Sequence, residues 1–212
     1  MENTLSIELH ELGKKFNREW IFQSLNLTIA PGSKIAVLGS NGSGKSTLLQ
    51  TISGFLIPDK GKLIYKKDKT IISADDIYHY ISFASPFLQL SEELTLDEFI
   101  SHYKLFKPFQ INASNKEIAI LFQLENALHK QIKHYSSGMK QRVKLGMAIV
   151  SAAPVMFLDE PLTNLDKNGI TWYAEMVNRF SAQKTVLVCS NAIKEEYFFC
   201  EREINLAEYK NK

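Results

Sequence analysis

Regular alternation of apolar and polar side chains marks much of the first third of the chain as β-structure. Residues 4–10 and 24–30 alternate in this way, which is typical of half-buried antiparallel strands. The short segment 62–65 and the alternating segment 77–84 predict two further strands, the second closed by a serine and a proline. We therefore expect an antiparallel sheet in this part of the chain.

Three runs of consecutive apolar residues predict strands that are buried on both faces. They lie at 35–38, 155–158 and 185–189, and the last is rich in β-branched side chains. Such runs are typical of parallel strands at the centre of an α/β sheet. Helical patterns follow these runs at 48–52, 172–180 and 192–200.

The segment 87–150 has helical instead of strand periodicity. A capping box at 95–98 opens one helix, because a threonine is followed three residues later by a glutamate. Residues 114–124 repeat a helical apolar spacing, and a further helix is predicted from about 138 to 151. This stretch interrupts the β-rich parts of the chain.

Together these patterns predict an α/β fold with one domain over residues 1–212. Its core, formed by 1–86 and 151–212, is expected to hold a mostly parallel central sheet and an antiparallel β subdomain. The helical subdomain at 87–150 is expected to be inserted between the two parts of the core.

The composition is that of an ordinary globular protein. Of 212 residues, 45% are hydrophobic and 23% are charged. The formal net charge of +2 argues neither for nor against a nucleic-acid partner, because the basic residues are spread along the chain without forming a stripe. From the chain as a whole, we expect no nucleic-acid partner. The two cysteines, Cys189 and Cys200, lack metal-ligand spacing and are expected to be reduced thiols.

Membrane insertion of this chain is not indicated by the sequence. No apolar run approaches the ~20 residues that cross a bilayer. The first residues also lack the basic and apolar regions of a signal peptide. We expect a cytoplasmic chain whose membrane partner, if there is one, supplies the spanning segments.

The most specific signal is a full match to G-x-x-x-x-G-K-S/T between a predicted strand and a predicted helix. The segment consists of Gly39, Ser40, Asn41, Gly42, Ser43, Gly44, Lys45, Ser46 and Thr47. Its backbone N–H groups can converge on phosphate oxygens at a helix N-terminus, where Lys45 would reach the β- and γ-phosphates and Ser46 would help hold Mg²⁺. The alternative is a glycine- and serine-rich turn that happens to contain a lysine. Strand, loop and helix in this order instead predict a site for a nucleoside triphosphate.

Two carboxylates follow the apolar run at 155–158. A phosphate-binding loop needs a carboxylate to complete its metal site, and Asp159 stands where a central strand would deliver it. Glu160 is placed to orient or polarise an attacking water. An isolated Asp-Glu pair is usually a solvated strand end, but its position after a buried strand favours a catalytic role.

A third candidate segment precedes the predicted helix at 138–151. Ser136, Ser137 and Gly138 are small residues at a helix start. They could cap the helix and do nothing more, or they could present hydroxyl and N–H groups to an anion. The local pattern leaves both interpretations open.

Over essentially its whole length, the chain resembles the nucleotide-binding subunits of ABC transporters. The segment 136–139 resembles the L-S-G-G-Q signature of that family and precedes Asp159 and Glu160 at the expected distance. The segment 163–166 looks like the loop after the catalytic glutamate. Phe16 falls where the family places an aromatic residue that stacks on adenine.

The resemblance implies a head-to-tail dimer that sandwiches ATP and Mg²⁺. In that arrangement Ser136, Ser137 and Gly138 would act on the ATP of the other copy, and Asp166 would belong to the nucleotide-binding set. Glu160 would be the catalytic base. The implied partners are a second ATPase subunit, identical or related, and a separate integral membrane subunit. The chain would then lie on the cytoplasmic face of the inner membrane, and short chains of this type resemble the ATPases of haem-exporter-like systems.

Three positions depart from the family pattern. The usual glutamine before the helical insertion is replaced at Ser85 or Pro86, and Gln89 is displaced by three or four residues. The usual histidine after the last core strand is replaced by Asn191, which can hydrogen-bond but cannot relay a proton. In the signature, Ser137 and a methionine replace glycine and glutamine. We expect ATP binding to be retained and hydrolysis to be slow.

Two other functions compete with a transport ATPase. One is a regulatory module in which ATP controls dimerisation and hydrolysis is vestigial, and the missing glutamine and histidine favour it. The other is a DNA-repair or translation ATPase of the same superfamily. Those proteins usually carry long coiled coils or two cassettes, and this chain shows neither.

Overall fold

The structure is a computed structural model that describes residues 4–210. Its strands are β1 (Leu5–Phe16), β2 (Glu19–Ile29), β3 (Lys34–Leu38), β4 (Lys60–Lys67), β5 (Thr70–Ile72), β6 (Ile81–Ala84), β7 (Val155–Asp159), β8 (Thr185–Ser190) and β9 (Arg202–Asn205). Its α-helices are α1 (Lys45–Ile52), α2 (Leu96–Phe106), α3 (Asn115–Leu121), α4 (Ser137–Val150), α5 (Lys167–Phe180) and α6 (Lys194–Tyr197). Short 3₁₀ helices lie at Ile77–Tyr80, Glu125–Ala127, Ile132–His134 and Leu206–Tyr209.

The central sheet has five strands in the order β6-β7-β8-β3-β9, and every neighbouring pair is parallel. Every residue of β7 and β8 is buried. Both strands can carry consecutive apolar residues, 155–158 in β7 and 186–189 in β8, because helices or the second sheet cover both faces. This arrangement confirms the predicted α/β fold with a parallel central sheet.

The second sheet is antiparallel, in the order β2-β1-β4-β5. The strands predicted at 4–10, 24–30 and 62–65 correspond to β1, β2 and β4, with only residues 4 and 30 falling outside these strands. Inward side chains such as Ile7, Leu9 and Leu27 are at most 5% exposed. One face of this sheet is therefore packed and the other meets solvent, which explains the alternation.

The expectation of a strand over the whole of 77–84 was wrong. Residues 77–80 form a 3₁₀ helix, and only 81–84 are extended. This short strand, β6, joins the parallel sheet next to β7. Within the 3₁₀ turn Ile77 is buried and Tyr78 faces solvent, so a tight turn produced the same alternation that a strand would show.

Other boundaries also differ from the sequence pattern. The helix expected at 192–200 is limited to α6, and the helix expected at 172–180 begins five residues earlier, where Asp166 caps α5. Strands β5 and β9 were not predicted, because three or four residues give too little pattern to recognise. The capping box at Thr95 and Glu98 is confirmed at the start of α2.

The core forms two clusters, one on each face of the parallel sheet. Val155 and Phe157 of β7 point into a cluster with α1 and the antiparallel sheet. Met156 and Leu158 point into a cluster with α4 and α5. Consecutive side chains of a strand alternate between faces, so α1 and α4 are held against opposite faces of the same sheet.

The described residues include no helix of the length and hydrophobicity that a membrane span requires. Cys189 is fully buried and Cys200 is half-buried, and both are free thiols.

Candidate active site

Neighbouring parallel strands end at one edge of the central sheet and bring the predicted site residues there. β3 runs into the glycine-rich loop, β7 ends at Asp159, and β8 and β6 end one residue before Asn191 and Ser85. In open parallel sheets, the carboxyl edge is where ligands bind. Residues far apart in sequence therefore lie close together.

The glycine-rich loop needs its glycines for two different reasons. Gly42 and Gly44 have φ angles of 74° and 99°, a region that side chains disfavour. A Cβ on Gly44 would also lie 2.2 Å from Cγ2 of Ile21, and a Cβ on Gly39 would lie 2.4 Å from Oγ of Ser43. Backbone conformation and close packing together keep the loop tight against the N-terminus of α1.

Lys45 begins α1, and its side chain turns back into the loop. Its Nζ donates to the carbonyl oxygens of Gly39 and Ser40, at 2.8 and 3.1 Å, and to Oδ1 of Asn191 at 2.6 Å. Only 4% of the residue is exposed. The loop thus encloses a buried ammonium group at the place where the sequence predicts phosphate binding.

Asp159 is a buried carboxylate with one free oxygen. The residue is 1% exposed, and among the described residues its Oδ1 has no hydrogen-bond partner. Its Oδ2 accepts a hydrogen bond of 3.4 Å from the hydroxyl of Ser85. Burial raises the pKa of Asp159, while a hydrogen bond from Ser46 opposes this rise. A buried oxygen without a partner beside a serine hydroxyl fits Mg²⁺, which prefers hard oxygen ligands.

Glu160 has a strained backbone and a reachable carboxylate. Its φ angle is 43°, which is unusual for a residue with a side chain, and its N–H donates to the carbonyl of Cys189 at 2.9 Å. About a third of its side chain, 31%, is exposed. Strain of this kind concentrates at functional sites, where the neighbouring structure holds it.

Asn191 joins the two charged groups of the site. Its Oδ1 accepts from Lys45, and its Nδ2 donates to Oε1 of Glu160 at 3.1 Å. The ammonium and carboxylate themselves are 3.9 Å apart. The sequence predicted a site residue here, and the structure places it between the predicted cation and the predicted base.

A cavity of about 380 Å³ opens beside this network. Its lining consists of Ile21, Asn41, Gly42, Gly44, Lys45, Ser46, Thr47, Phe87 and Glu160. Ile21 and Phe87 were missed by the sequence analysis, because a single apolar residue in a strand or loop carries no chemical signal. The cavity combines backbone N–H groups, a cation, a hydroxyl and a carboxylate, which is the set that a nucleoside triphosphate requires.

A family model described as ABC transporter matches residues 22–163 of this chain. The chain belongs to the ABC transporter family. The match confirms the resemblance that the phosphate-binding loop, the signature and the carboxylate pair indicated, and it makes the chain an ATP-binding subunit of that family.

Relatives and solved structures agree with this family. The cytochrome c biogenesis ATP-binding export protein CcmA of Brucella abortus (strain 2308) is 29% identical over 192 residues, covering 89% of this chain and 86% of the relative. The sulfate/thiosulfate import ATP-binding protein CysA of Mesostigma viride is 32% identical over 184 residues, covering 84% and 53%. A dimeric, post-hydrolysis structure of the ATP-binding cassette MJ0796 with ADP and Pi is similar in fold, with a TM-score of 0.79 and 23% identity over 94% of this chain and 93% of that one.

The signature of this ABC transporter subunit lies outside its own cavity. Ser136 caps α4, and its Oγ accepts from the N–H of Met139 at 3.2 Å. Ser136 and Ser137 are exposed, and a Cβ on Gly138 would lie 3.0 Å from the carbonyl of Asn164. Ser136 therefore caps the helix, as one of the two interpretations predicted. The hydroxyls of Ser136 and Ser137 are also exposed and accessible to another molecule.

Two further predicted residues of the subunit also lie outside the cavity. Asp166 caps α5, since its Oδ1 accepts from the N–H of Gly169 at 2.8 Å. Phe16 ends β1, is 47% exposed, and has the Nζ of Lys14 5.5 Å from its ring centroid. Its ring is accessible for stacking, although Ile21 is the residue of this hairpin that lines the cavity.

Proposed function

We propose that this subunit binds and hydrolyses ATP, dimerises around the nucleotide, and thereby drives transport through a separate membrane-spanning partner. The main support is that Asn191 links Lys45 to Glu160, and that both of these residues line a cavity together with part of the phosphate-binding loop. A binding protein without catalysis needs the loop and the lysine. It does not need a carboxylate placed beside them at the end of β7, on the far side of β8.

The chemistry follows from the positions of these groups. The loop N–H groups and Lys45 bind the phosphates, and Ser46 and Asp159 hold Mg²⁺, which neutralises phosphate charge when bound. Glu160 orients a water molecule and accepts its proton, because its carboxylate is partly exposed and faces the cavity. Asn191 fixes that carboxylate relative to Lys45 and donates a hydrogen bond, but it cannot carry the proton.

Dimerisation is supported by the placement of the two halves of the ATP site. The phosphate-binding loop precedes α1 and the signature precedes α4, and these helices lie on opposite faces of the sheet. Ser136 and Gly138 therefore complete the cavity of a second copy in this proposal, with Phe16 stacking on adenine and Asp166 in the loop between the two sites. The dimer formed by MJ0796 with ADP and Pi has the same fold.

The membrane partner is proposed to dock on exposed apolar side chains of three segments. They are Phe55 and Ile57 after α1, Phe87 and Leu88 after β6, and Leu105 and Phe106 at the end of α2. Large exposed apolar groups of this kind mark interaction surfaces. Phe87 also lines the nucleotide cavity, and Lys144 of α4 donates to the carbonyl of Pro86 at 2.5 Å. Partner contact, nucleotide and signature helix would thus meet at one loop.

The proposed direction is export, from the cytoplasmic face of the inner membrane. The similarity to CcmA, whose name includes export, extends over 89% of this chain and 86% of that protein. The match to the import protein CysA leaves almost half of that protein uncovered. Uptake of substrate into inside-out membrane vesicles on addition of ATP would support export, and ATP-driven release from them would support import.

The decisive experiment isolates the complex that ATP stabilises. Membranes containing a tagged Glu160→Gln variant are extracted gently with ATP and Mg²⁺, and co-purifying proteins are identified. We expect a stoichiometric protein with several spans and a second ATPase subunit. Lys45→Ala, which should not bind ATP, is the matched control. Recovery of a dimer with soluble partners alone would overturn the transport proposal.

A regulatory module is the second candidate, and Asn191 and Ser85 favour it because the family usually has histidine and glutamine there. In that case hydrolysis is vestigial. Mg²⁺-dependent turnover that falls by about 10²–10⁴-fold in Glu160→Gln would exclude it. ATP turnover at background level in both the wild-type protein and Glu160→Gln would support the regulatory module.

A further inference from the structure

A buried carboxyl group behind the active site has no role in the chemistry described so far. Glu196 lies on α6 and is only 1% exposed. Among the described residues its Oε2 has no hydrogen-bond partner. Burying a carboxyl group with an unsatisfied oxygen opposes folding, so an apolar residue would serve packing better.

Glu196 contacts the two segments that carry Glu160 and Asn191. Its Oε1 accepts from the N–H of Leu162, at 3.3 Å, in the loop that follows Glu160. The hydroxyl of Ser190, the residue before Asn191, donates to the carbonyl of Ile193 at 3.4 Å, and it lies close enough to the Glu196 carboxyl group to lower the pKa of that group. Burial raises the pKa of Glu196 in spite of these contacts.

The loop that Glu196 contacts is strained and is held residue by residue. Glu160 and Asn164 both have positive φ angles, of 43° and 65°. The N–H of Glu160 donates to β8, and the carbonyl of Pro161 accepts from Gln141 of α4 at 2.9 Å. Glu196 of α6 holds the next residue, Leu162. Three consecutive residues are thus fixed by three different elements, as a strained conformation requires.

The backbone of Glu196 is itself anchored. Its carbonyl accepts a hydrogen bond of 2.7 Å from the hydroxyl of Tyr173, a buried residue of α5. The backbone from which the carboxyl group extends is therefore held by the core.

We propose that Glu196 is a positioning residue that fixes the loop 160–166 relative to the segment 190–193. This keeps Glu160 and Asn191 at hydrogen-bonding distance from each other. This inference rests on the proposed hydrolysis. Glu196 does not touch the nucleotide cavity. Its side chain acts through the N–H of Leu162, and its own N–H donates to the carbonyl of Ile193 in the segment that carries Asn191.

The test compares substitutions that keep or remove the acceptor. In Glu196→Leu, kcat should fall by about tenfold to a hundredfold, because a small displacement of a catalytic group is costly. The KM for ATP should change much less, and the melting temperature should stay the same or rise. Glu196→Gln keeps an acceptor for Leu162 and should restore kcat to near the wild-type value. Glu195→Leu, at the exposed neighbouring position, is the matched control and should leave kcat unchanged.

Amide hydrogen exchange separates this inference from the proposed function. In Glu196→Leu, the amides of Glu160 and of residues 162–166 should exchange faster, whereas Glu196→Gln should retain wild-type protection. Hydrogen exchange can be measured in a protein that does not hydrolyse ATP. If the wild-type protein is inactive, the hydrolysis proposal is overturned, and the exchange rates of the loop still decide whether Glu196 holds it. Unchanged protection and unchanged kcat in Glu196→Leu would overturn the role of Glu196. A loss of kcat that Gln fails to restore, with a lowered melting temperature, would also overturn it.

Discussion

The Nζ of Lys45 and the Oδ1 of Asn191 are 2.6 Å apart. Because the same amide donates to Glu160 through its other atom, Asn191 bridges an ammonium and a carboxylate while remaining neutral. An amide can do both at once, since it has an acceptor and a donor on one carbon. Asn191, which replaces the histidine usual in the family, can thus hold Lys45 and Glu160 in place but cannot transfer a proton between groups.

Replacing Asn191 by histidine should raise the steady-state rate of ATP hydrolysis, by about tenfold or more, because imidazole can donate to phosphate and also carry charge. Asn191→Leu, which has a similar size and no polar atom, should lower the rate by about tenfold, since Lys45 and Glu160 lose charged hydrogen bonds. ATP affinity should change little in Asn191→His. A rate that is unchanged or lowered by Asn191→His would contradict the expectation that Asn191 slows hydrolysis.

The Mg²⁺ requirement should depend on Ser85. Its hydroxyl orients the Asp159 carboxylate, although the 3.4 Å hydrogen bond is long. Ser85→Ala should raise the Mg²⁺ concentration for half-maximal hydrolysis by about tenfold at most, the low end for partners of metal ligands. Ser82→Ala is the control, because Ser82 is equally buried in β6 but donates to the carbonyl of Val155. Equal shifts in both variants would show that Ser85 acts only through packing.

Two glycines of the phosphate-binding loop should respond differently to alanine. Both have positive φ angles, but a Cβ on Gly44 meets Ile21, whereas a Cβ on Gly42 meets nothing within 4 Å. In Gly42→Ala the only cost is the free energy of the strained backbone conformation, about 1–3 kcal/mol. Gly44→Ala should weaken ATP binding further, by about tenfold or more beyond Gly42→Ala, because overpacking adds its own cost. Titration with a fluorescent ATP analogue measures both, and equal affinities would refute the steric argument.

Gly146 in α4 should reverse the usual effect of helix propensity. Alanine is normally favoured over glycine inside a helix by about 1 kcal/mol. Here a Cβ would lie 2.4 Å from the ring of Phe122, which is fully buried. Gly146→Ala should therefore lower the free energy of unfolding by about 1–3 kcal/mol.

The matched double variant tests the cause of that loss. Phe122→Leu makes room, so Gly146→Ala should cost less in that background than in the wild-type protein, a non-additivity that denaturant titration measures. If the losses in the free energy of unfolding are additive, the Cβ of the introduced alanine does not clash with Phe122.

The site residues that could be predicted from sequence have reactive side chains and belong to a recognisable local sequence pattern. Lys45 stands in a continuous motif, and Asp159 and Glu160 follow an apolar strand, so each could be assigned from its neighbours. Ile21 and Phe87 line the same cavity but belong to distant segments and carry ordinary side chains. Their contribution depends on tertiary structure, which brings them beside the loop.

The same distinction explains the errors in the fold. Long strands such as β1 repeat their pattern enough times to be recognised, whereas β9 has four residues and depends on pairing with β3. At 77–80, one 3₁₀ turn imitates strand alternation. Glu196 is the clearest case, because in sequence it is one of two adjacent glutamates, and only folding buries it while Glu195 stays exposed.

The positive φ angle of Glu160 bears on whether hydrolysis is used at all. Glycine or asparagine would adopt this conformation at lower cost, so a chain selected only for binding ATP would gain stability by exchanging the glutamate. If Glu160 is the base of the proposed hydrolysis, stability and activity are opposed at this single residue. The exposed Glu11 has a similar φ angle of 49°, so it is the strain of Glu160 together with its place beside Lys45 and Asn191 that supports the proposed catalysis.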